Sequence, residues 1–401
     1  MSWEVKKLSD CCVSIADGDH QAPPKADFGI PFVTISDINV YNQFDFTDTM
    51  FVPREYYDRL DNKRKAQKGD VLYSVVGSFG IPVYMKETVP FVFQRHIAIL
   101  RPNDTILPQF LYYTMLSRDF YMMADAAALG AAQRTVSLTA LRNIRISVPP
   151  MDAQKKIVDT LSAYDTLIEN NQKQIKLLEE AAQRLYKEWF VDLRFPGYED
   201  TPIVDGVPEG WSLSPISDFG EVVTGKTPST EKKEYYGGNI PFVKIPDMHG
   251  CVYPVITESS LTEAGAKTQI NKFIPRNGIM VSCIATVGLV NIAVERCQTN
   301  QQINSIILSD ERDLYYVFSA MKRLKELLEG VGSNGATMTN VNKTKFASLP
   351  VLYPSEELRD SYYSFCKPIF EKIYNLSLSV VGLKKARDRL LPKLMSGEIE
   401  V

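Results

Sequence analysis

The stretch GEVVTGKT, Gly220 to Thr227, satisfies the spacing G-x-x-x-x-G-K-[ST]. In a phosphate-binding loop with that spacing, backbone N–H groups cradle the phosphates, the lysine reaches the outer ones and the hydroxyl binds magnesium. Gly225, Lys226 and Thr227 would carry this chemistry in a nucleotide-binding protein, the enzyme-class alternative that the sequence offers. Such a loop must leave a buried strand and open a helix, so that N–H groups and the helix dipole converge on the anion. Here Thr227 is followed by Pro228, which has no N–H, and then by STEKKEYYGGN, which lacks apolar periodicity and ends in a Gly-Gly turn. No strand ending in a magnesium-binding Asp follows. The context predicts a turn before a strand. Other chemistry is equally sparse. His20, His96 and His249 are scattered, and Cys11, Cys12, Cys251, Cys283, Cys297 and Cys366 show no C-x-x-C spacing, so neither a metal site nor a disulfide framework is expected. There is no nucleophile elbow, no G-x-G-x-x-G after a strand and no Asn-Pro-Pro-aromatic tetrapeptide for methyl transfer. The expectation is a recognition device without catalytic residues, cofactor or metal.

The elements that would position these residues occur twice. At 401 residues and 45% hydrophobic content the chain can bury a sizeable core in two or three domains. Trp3-EVKKLSD is answered by Trp211-SLSPISD, and GIPFVTISDI from Gly29 by NIPFVKIPDM from Asn239. The match continues in order: KGDVLYSVVGSFG with RNGIMVSCIATVG, QRHIAIL with NQQINSI, and RISVPP with LPVLYP. Opposite TGKTPST lies IADGDHQAPP, with a glycine and a proline-bearing turn but no Gly-Lys-Thr. Strand-like alternation in IPFVTI and DVLYSVV, mixed irregularly with an amphipathic pattern in PQFLYYTMLSRDFYMMADAAA, predicts an α+β unit of roughly 150 residues in each half.

A long periodic segment follows each globular part. Ile157, Leu161, Tyr164, Ile168, Asn171, Ile175, Leu178, Ala182, Leu185 and Trp189 alternate spacings of four and three, the seam of a coiled coil. Adding 205 gives Tyr362, Cys366, Ile369, Ile373, Leu376, Val380, Leu383, Arg387, Leu390 and Leu394, the same stripe with one polar intruder. Pro368 and Gly382 fall inside the second stripe, so that helix should start late or bend. The Pro-, Gly- and acid-rich FPGYEDTPIVDGVPEG, Phe195 to Gly210, reads as a linker. The expected domains are residues 1–150, a helix over 151–194, a linker and second domain over 195–353, and a helix over 354–401. No run of 18 apolar residues is present and MSWEVKKLSD lacks the pattern of a signal peptide, so a cytoplasmic protein without membrane contact is expected. A coiled-coil scaffold is the third class, though a spacer has no need of two globular parts with different loops.

LIENNQKQIKLLEEAAQRLYKEWFVDLRFPGYE (Leu167 to Glu199), GVPEGW before the second half, TGKTPST with YYGGNIPFV after it, and the closing RDRLLPKLMSGEIEV together resemble the DNA specificity subunit of type I restriction-modification systems. The resemblance spans essentially the whole chain. It implies two target recognition domains, each reading half of a split site in double-stranded DNA, held apart by two antiparallel spacer helices. It further implies that the helices dock two methyltransferase subunits, which modify adenine using S-adenosylmethionine, while motor-nuclease subunits add ATP-dependent translocation and cleavage. Base edges are distinguished by Arg, Lys, Asn and Gln on loops held by a rigid scaffold. At matching places the candidates are Gln94, Arg95 and His96 against Asn300, Gln301 and Gln302, and Gln133 and Arg134 against Thr337, Asn340 and Asn342. Lys226, beside Thr227, with Lys232, Lys233, Arg59, Lys63, Arg64, Lys65 and Lys68 would contact phosphates; residues 54–68 carry net +3 within a chain of net −3. The aromatic cluster Leu185, Tyr186, Trp189 and Phe190 is richer in rings than a two-helix seam needs, which points to partner binding.

Overall fold

In both halves the tetrapeptide IPFV forms a strand, and the apolar run after it forms the centre of a sheet. The computed structural model describes residues 3–39, 41–130, 134–330 and 340–400. Two compact units emerge: Met1–Thr166 with Lys384–Val401, and Leu167–Leu383. Each unit therefore takes in part of both long helices.

In the first unit an antiparallel four-stranded sheet has the order Cys12–Asp17, Ile97–Pro102, Val71–Ser74, Pro82–Tyr84. A three-stranded sheet runs Met50–Val52, Ile30–Val33, Val92–Phe93, with the last pair parallel. Glu4–Lys7 pairs with Arg145–Val148 and ties the ends of the domain together. The second unit repeats this order and direction: Gly220–Thr224, Ile303–Leu308, Ile279–Ser282, Val290–Ile292; then Ser259–Leu261, Tyr236–Val243, Gln298–Thr299; then Ser212–Pro215 with Pro350–Tyr353. The fold class is α+β. VLY and IMV are fully buried because both faces of the central strand are covered. Val71 and Tyr73 face the core under helix Pro108–Leu116, while the intervening Leu72 faces a second cluster with Val83, Ile97 and Ile99.

The long helices, Met151–Phe190 and Glu356–Met395, have 40 residues each, about 60 Å at about 1.5 Å per residue. Within each unit their segments pair antiparallel. Ile157 and Leu161 share a core with Leu391 and Leu394 in the first unit, and in the second Ala182, Tyr186 and Phe190 share one with Tyr362, Cys366 and Phe370. The second helix starts at Glu356, ahead of its stripe, and runs unbroken through Pro368 and Gly382, so the expected late start does not occur. Burial of Tyr362, Cys366, Phe370, Ile373 and Leu376 along one face outweighs the roughly 3 kcal/mol cost of an internal proline. Equivalent residues anchor the two helices by different chemistry. Gln154 accepts from Leu107 N–H (2.8 Å) and donates to Thr105 and Pro149 carbonyls, whereas Arg359 makes a buried ion pair with Asp313 at 2.6 Å. No helix among the described residues is long and apolar enough to cross a membrane.

Arg387, the polar intruder in the seam, donates to Asp165 at 2.7 Å, and the same carboxylate accepts from the Tyr113 hydroxyl at 2.7 Å. Both charged side chains are 17–18% exposed. Replacing Arg387 by methionine should destabilise the first unit by about 2–3 kcal/mol, somewhat less than the loss for a fully buried pair, because Asp165 keeps Tyr113 and some water. Pairing Arg387→Met with Asp165→Leu should recover part of the loss in urea denaturation.

Candidate nucleic-acid interface

The end of each four-stranded sheet is built by four loops joined through backbone hydrogen bonds. In the first unit the chain leaves the strand at Asp17, and the next two N–H groups are committed: Gly18 to Ile97 O (3.1 Å) and Asp19 to Phe93 O (2.9 Å). In the second, Gly225 donates to Ile303 O (3.0 Å) and Lys226 to Thr299 O (2.9 Å). A Cβ on Gly18 would lie 2.1 Å from Phe93 O, and one on Gly225 would lie 2.2 Å from Asn300 O. Both glycines exist because two backbones cross there. Gly220–Thr224 is thus a strand, no helix opens at Lys226, and the N–H groups of Gly225 and Lys226 are already paired. The phosphate-loop reading falls on this geometry.

The other loops join in the same way in both units. Val75 N–H donates to His96 O and Cys283 N–H to Gln302 O, each at 2.8 Å. Val136 N–H then donates to Val75 O (2.9 Å), and Val341 N–H to Cys283 O (2.8 Å). A buried serine shapes the intervening loop: Ser74 Oγ accepts from Ile81 N–H at 2.9 Å, and Ser282 Oγ from Leu289 N–H at 2.8 Å. Nothing in composition singled out these serines; the repeat alignment was the available signal.

The side chains diverge on this shared frame. In the second unit Thr227 Oγ1 donates to Gln301 Oε1 at 2.7 Å, which unites two groups of candidates far apart in sequence. Lys226 and Gln301 are exposed, and the Lys226 and Lys233 ammonium groups have no partner among the described residues. Lys232 lies over the Tyr235 ring, 5.2 Å from its centroid. Asn300 is buried and spends its amide on Gln302, accepting from its N–H and donating to its Oε1, each at 3.1 Å. Asn342 caps helix Lys343–Ala347 through Lys345 N–H (2.9 Å), and exposed Asn340 bridges to Ile284. Thr337 lies outside the described residues.

In the first unit the place of Lys226 is taken by Asp19. Its carboxylate accepts from the Tyr56 hydroxyl and pairs with Arg64 at 3.4 Å, while His20 meets Asp17 at 2.8 Å. Burial works to raise the Asp19 pKa, but the Tyr56 hydrogen bond, the backbone N–H groups of Gln21 and His20, and Arg64 together hold it below the usual range. Arg64 is thereby neutralised locally. Exposed Arg95 has no side-chain partner among the described residues, and the same holds for Arg59, Lys63 and Lys68. Lys65 donates to Asp58 O at 3.0 Å. Gln94 bridges to Asp19 in the backbone, and His96 is half-buried. Arg134 is tied to Asp125 at 3.1 Å, and Gln133 lies outside the described residues.

The aromatic cluster needs a correction. Tyr186 and Phe190 are buried, and Leu185 and Trp189 pack half-buried against the same core. Phe190 stands 4.7 Å from Tyr316 and 5.0 Å from Tyr362, centroid to centroid. The rings serve the second unit's own core. Apolar side chains left exposed on the helix segments of that unit are Leu167, Leu177, Phe365 and Leu378.

The profile of the family described as "Type I restriction modification DNA specificity domain" matches residues 1–180 and 208–362. A specificity subunit of the type I restriction enzyme HindI from Haemophilus influenzae is 31% identical, over 84% of this chain and 88% of its own length. The MjaIX specificity subunit from Methanocaldococcus jannaschii is 25% identical, over 100% of this chain and 94% of its own. In fold, the crystal structure of a type I S subunit from M. genitalium superposes with a TM-score of 0.57 at 14% identity, covering 98% of this chain and 96% of that one. With two loop clusters held by matching backbone bonds and a family match over most of its length, the chain belongs to the type I restriction-modification DNA specificity family.

Proposed function

We propose that each unit reads one half of a split duplex site through its four-loop end, and that the chain delivers this site to methyltransferase subunits modifying adenine and to motor-nuclease subunits. The observation that supports it is the pairing of the loop clusters: matching backbone bonds fix Gly18 and Asp19 in one unit and Gly225 and Lys226 in the other, with His20 and Arg95 beside the first pair and Thr227 and Gln301, joined through their side chains, beside the second. A shared frame with different donors and acceptors suits two different base sequences. The free cations Arg59, Lys63, Lys68, Arg95, Lys226 and Lys233 supply local phosphate contacts despite the net charge of −3. The exposed Leu167, Leu177, Phe365 and Leu378 offer the helices' remaining apolar surface to the methyltransferase.

Exchange of residues 1–150 for the equivalent part of a relative tests the reading, since the junction falls just before the helix that starts at Met151. Mapping of methylated adenine should show one half-site replaced and the other kept. A change in both half-sites, or in neither, would contradict one-unit, one-half-site reading.

A further inference from the structure

Trp3 and Trp211 are equivalent residues, each standing directly before the strand that pairs with the last strand of its unit, Glu4–Lys7 with Arg145–Val148 or Ser212–Pro215 with Pro350–Tyr353. Each is approached by the chain returning from a long helix, and the returns are alike. Arg194, four residues past the helix end, donates its N–H to Glu188 O at 2.8 Å; Ile399, four past the other end, donates to Lys393 O at 3.2 Å. The next residue differs. In the second unit it is Phe195, buried, with its ring 4.8 Å from that of Trp211. In the first it is Glu400, exposed, and beside Trp3 the described residues leave a cavity of ≈ 410 Å³, walled by Pro150, Ala153, Ile157, Met395 and Ile399. One unit thus fills its tryptophan seat with its own phenylalanine, and the other presents the same seat with a carboxylate at the rim.

We propose that the Trp3 seat receives one aromatic side chain, flanked by a basic group that meets Glu400, from a methyltransferase subunit. The shape argument is internal, because the twin site shows that a phenyl ring fits a tryptophan in this setting. The choice of partner rests on the function proposed above, in which the two long helices dock the methyltransferase. Ala153 and Ile157 from one helix and Met395 from the other form the walls of the seat. An aromatic anchor in a preformed pocket is the arrangement that concentrates binding energy at protein interfaces.

Glu400→Phe lets the chain fill its own seat, as Phe195 does in the other unit, and Ala153→Phe obstructs it from the helix side. The full-length chain and the methyltransferase subunit are co-purified and their affinity measured by calorimetry or sedimentation. Both variants should weaken association at least about tenfold. Glu400→Gln, which removes only the rim charge, should lose about two- to threefold, with a shallower salt dependence. Unchanged affinity in both filling variants would overturn the seat while leaving the helix-docking reading intact. Failure of the unaltered chain to bind the methyltransferase would overturn that reading, and this one with it. Self-association of the chain alone, abolished by Glu400→Phe, would assign the seat to a second copy and equally overturn the proposal.

Discussion

Replacing Phe190 by alanine is expected to cost the second unit about 3–5 kcal/mol, the range for deleting a buried phenyl ring from a core that relaxes incompletely. The ring is 3% exposed and touches Tyr316, Tyr362 and Trp211 at centroid distances of 4.7, 5.0 and 5.9 Å. Tyr316 in turn donates its hydroxyl to Leu352 O, and Tyr362 is fully buried against Ser319. Collapse into the hole would strain these hydrogen bonds, so relaxation should be small and the cost near the upper end. Since the chain has two compact units, one global unfolding free energy is not the right readout. Hydrogen exchange should show protection falling in helix Leu314–Lys322 and in the strand Pro350–Tyr353, with little change in Val71–Ser74 of the first unit. The same substitution separates a core role from a docking role. A docking residue would leave exchange unchanged and weaken only partner binding. A Phe190→Ala variant with native protection would therefore contradict the packing described here.

What the sequence disclosed and what it hid follow from how far each signal reaches along the chain. The α+β units and the seams rest on patterns within about 10–40 residues and the repeat on short strings matched between the halves, and the structure contains all three. Local rules failed where distant packing decided. Pro368 reads as a helix breaker, yet burial of the face from Tyr362 to Leu376 keeps the helix unbroken through it. The rings at Tyr186 and Phe190 read as surplus for a two-helix seam because their main partners, Tyr316 and Tyr362, lie more than a hundred residues away. Arg387 read as an intruder because its partner Asp165 belongs to the other helix. At the loop clusters, residue types marked Gln301 and Lys226 as candidates but could not join Thr227 to Gln301, nor show that Asn300 spends its side chain on Gln302 and Asn342 on the N–H of Lys345. Asp19 escaped notice because an acid is not sought on an edge proposed to bind DNA, although the alignment of Gly18 with Gly225 places it opposite Lys226.

That alignment also decides which residue of TGKT matters most. Gly225→Ala should lower affinity for the cognate site at least about 100-fold, about 2.7 kcal/mol at roughly 1.4 kcal/mol per tenfold. The added Cβ would stand 2.2 Å from Asn300 O and 2.4 Å from Thr299 O, both backbone atoms, so one of the crossing chains must move. Movement there breaks the bonds from Gly225 to Ile303 and from Lys226 to Thr299, and it separates Thr227 from Gln301. Lys226→Ala leaves all of these intact and removes one exposed ammonium. Its loss should be about three- to tenfold, similar for cognate and unrelated DNA, with the salt dependence reduced by about one ion. A nucleotide-binding loop would give the opposite order, because there the lysine itself meets the phosphates. The first unit provides the control: Gly18→Ala, beside an aspartate, should be as damaging as Gly225→Ala, since its Cβ would lie 2.1 Å from Phe93 O and 2.4 Å from Gln94 O. Filter binding or anisotropy on cognate duplex, with circular dichroism to show that both units remain folded, measures all three variants. Tolerance of Gly18→Ala together with a severe loss in Lys226→Ala would mean that the lysine, and not the crossing of two backbones, is the reason for the motif.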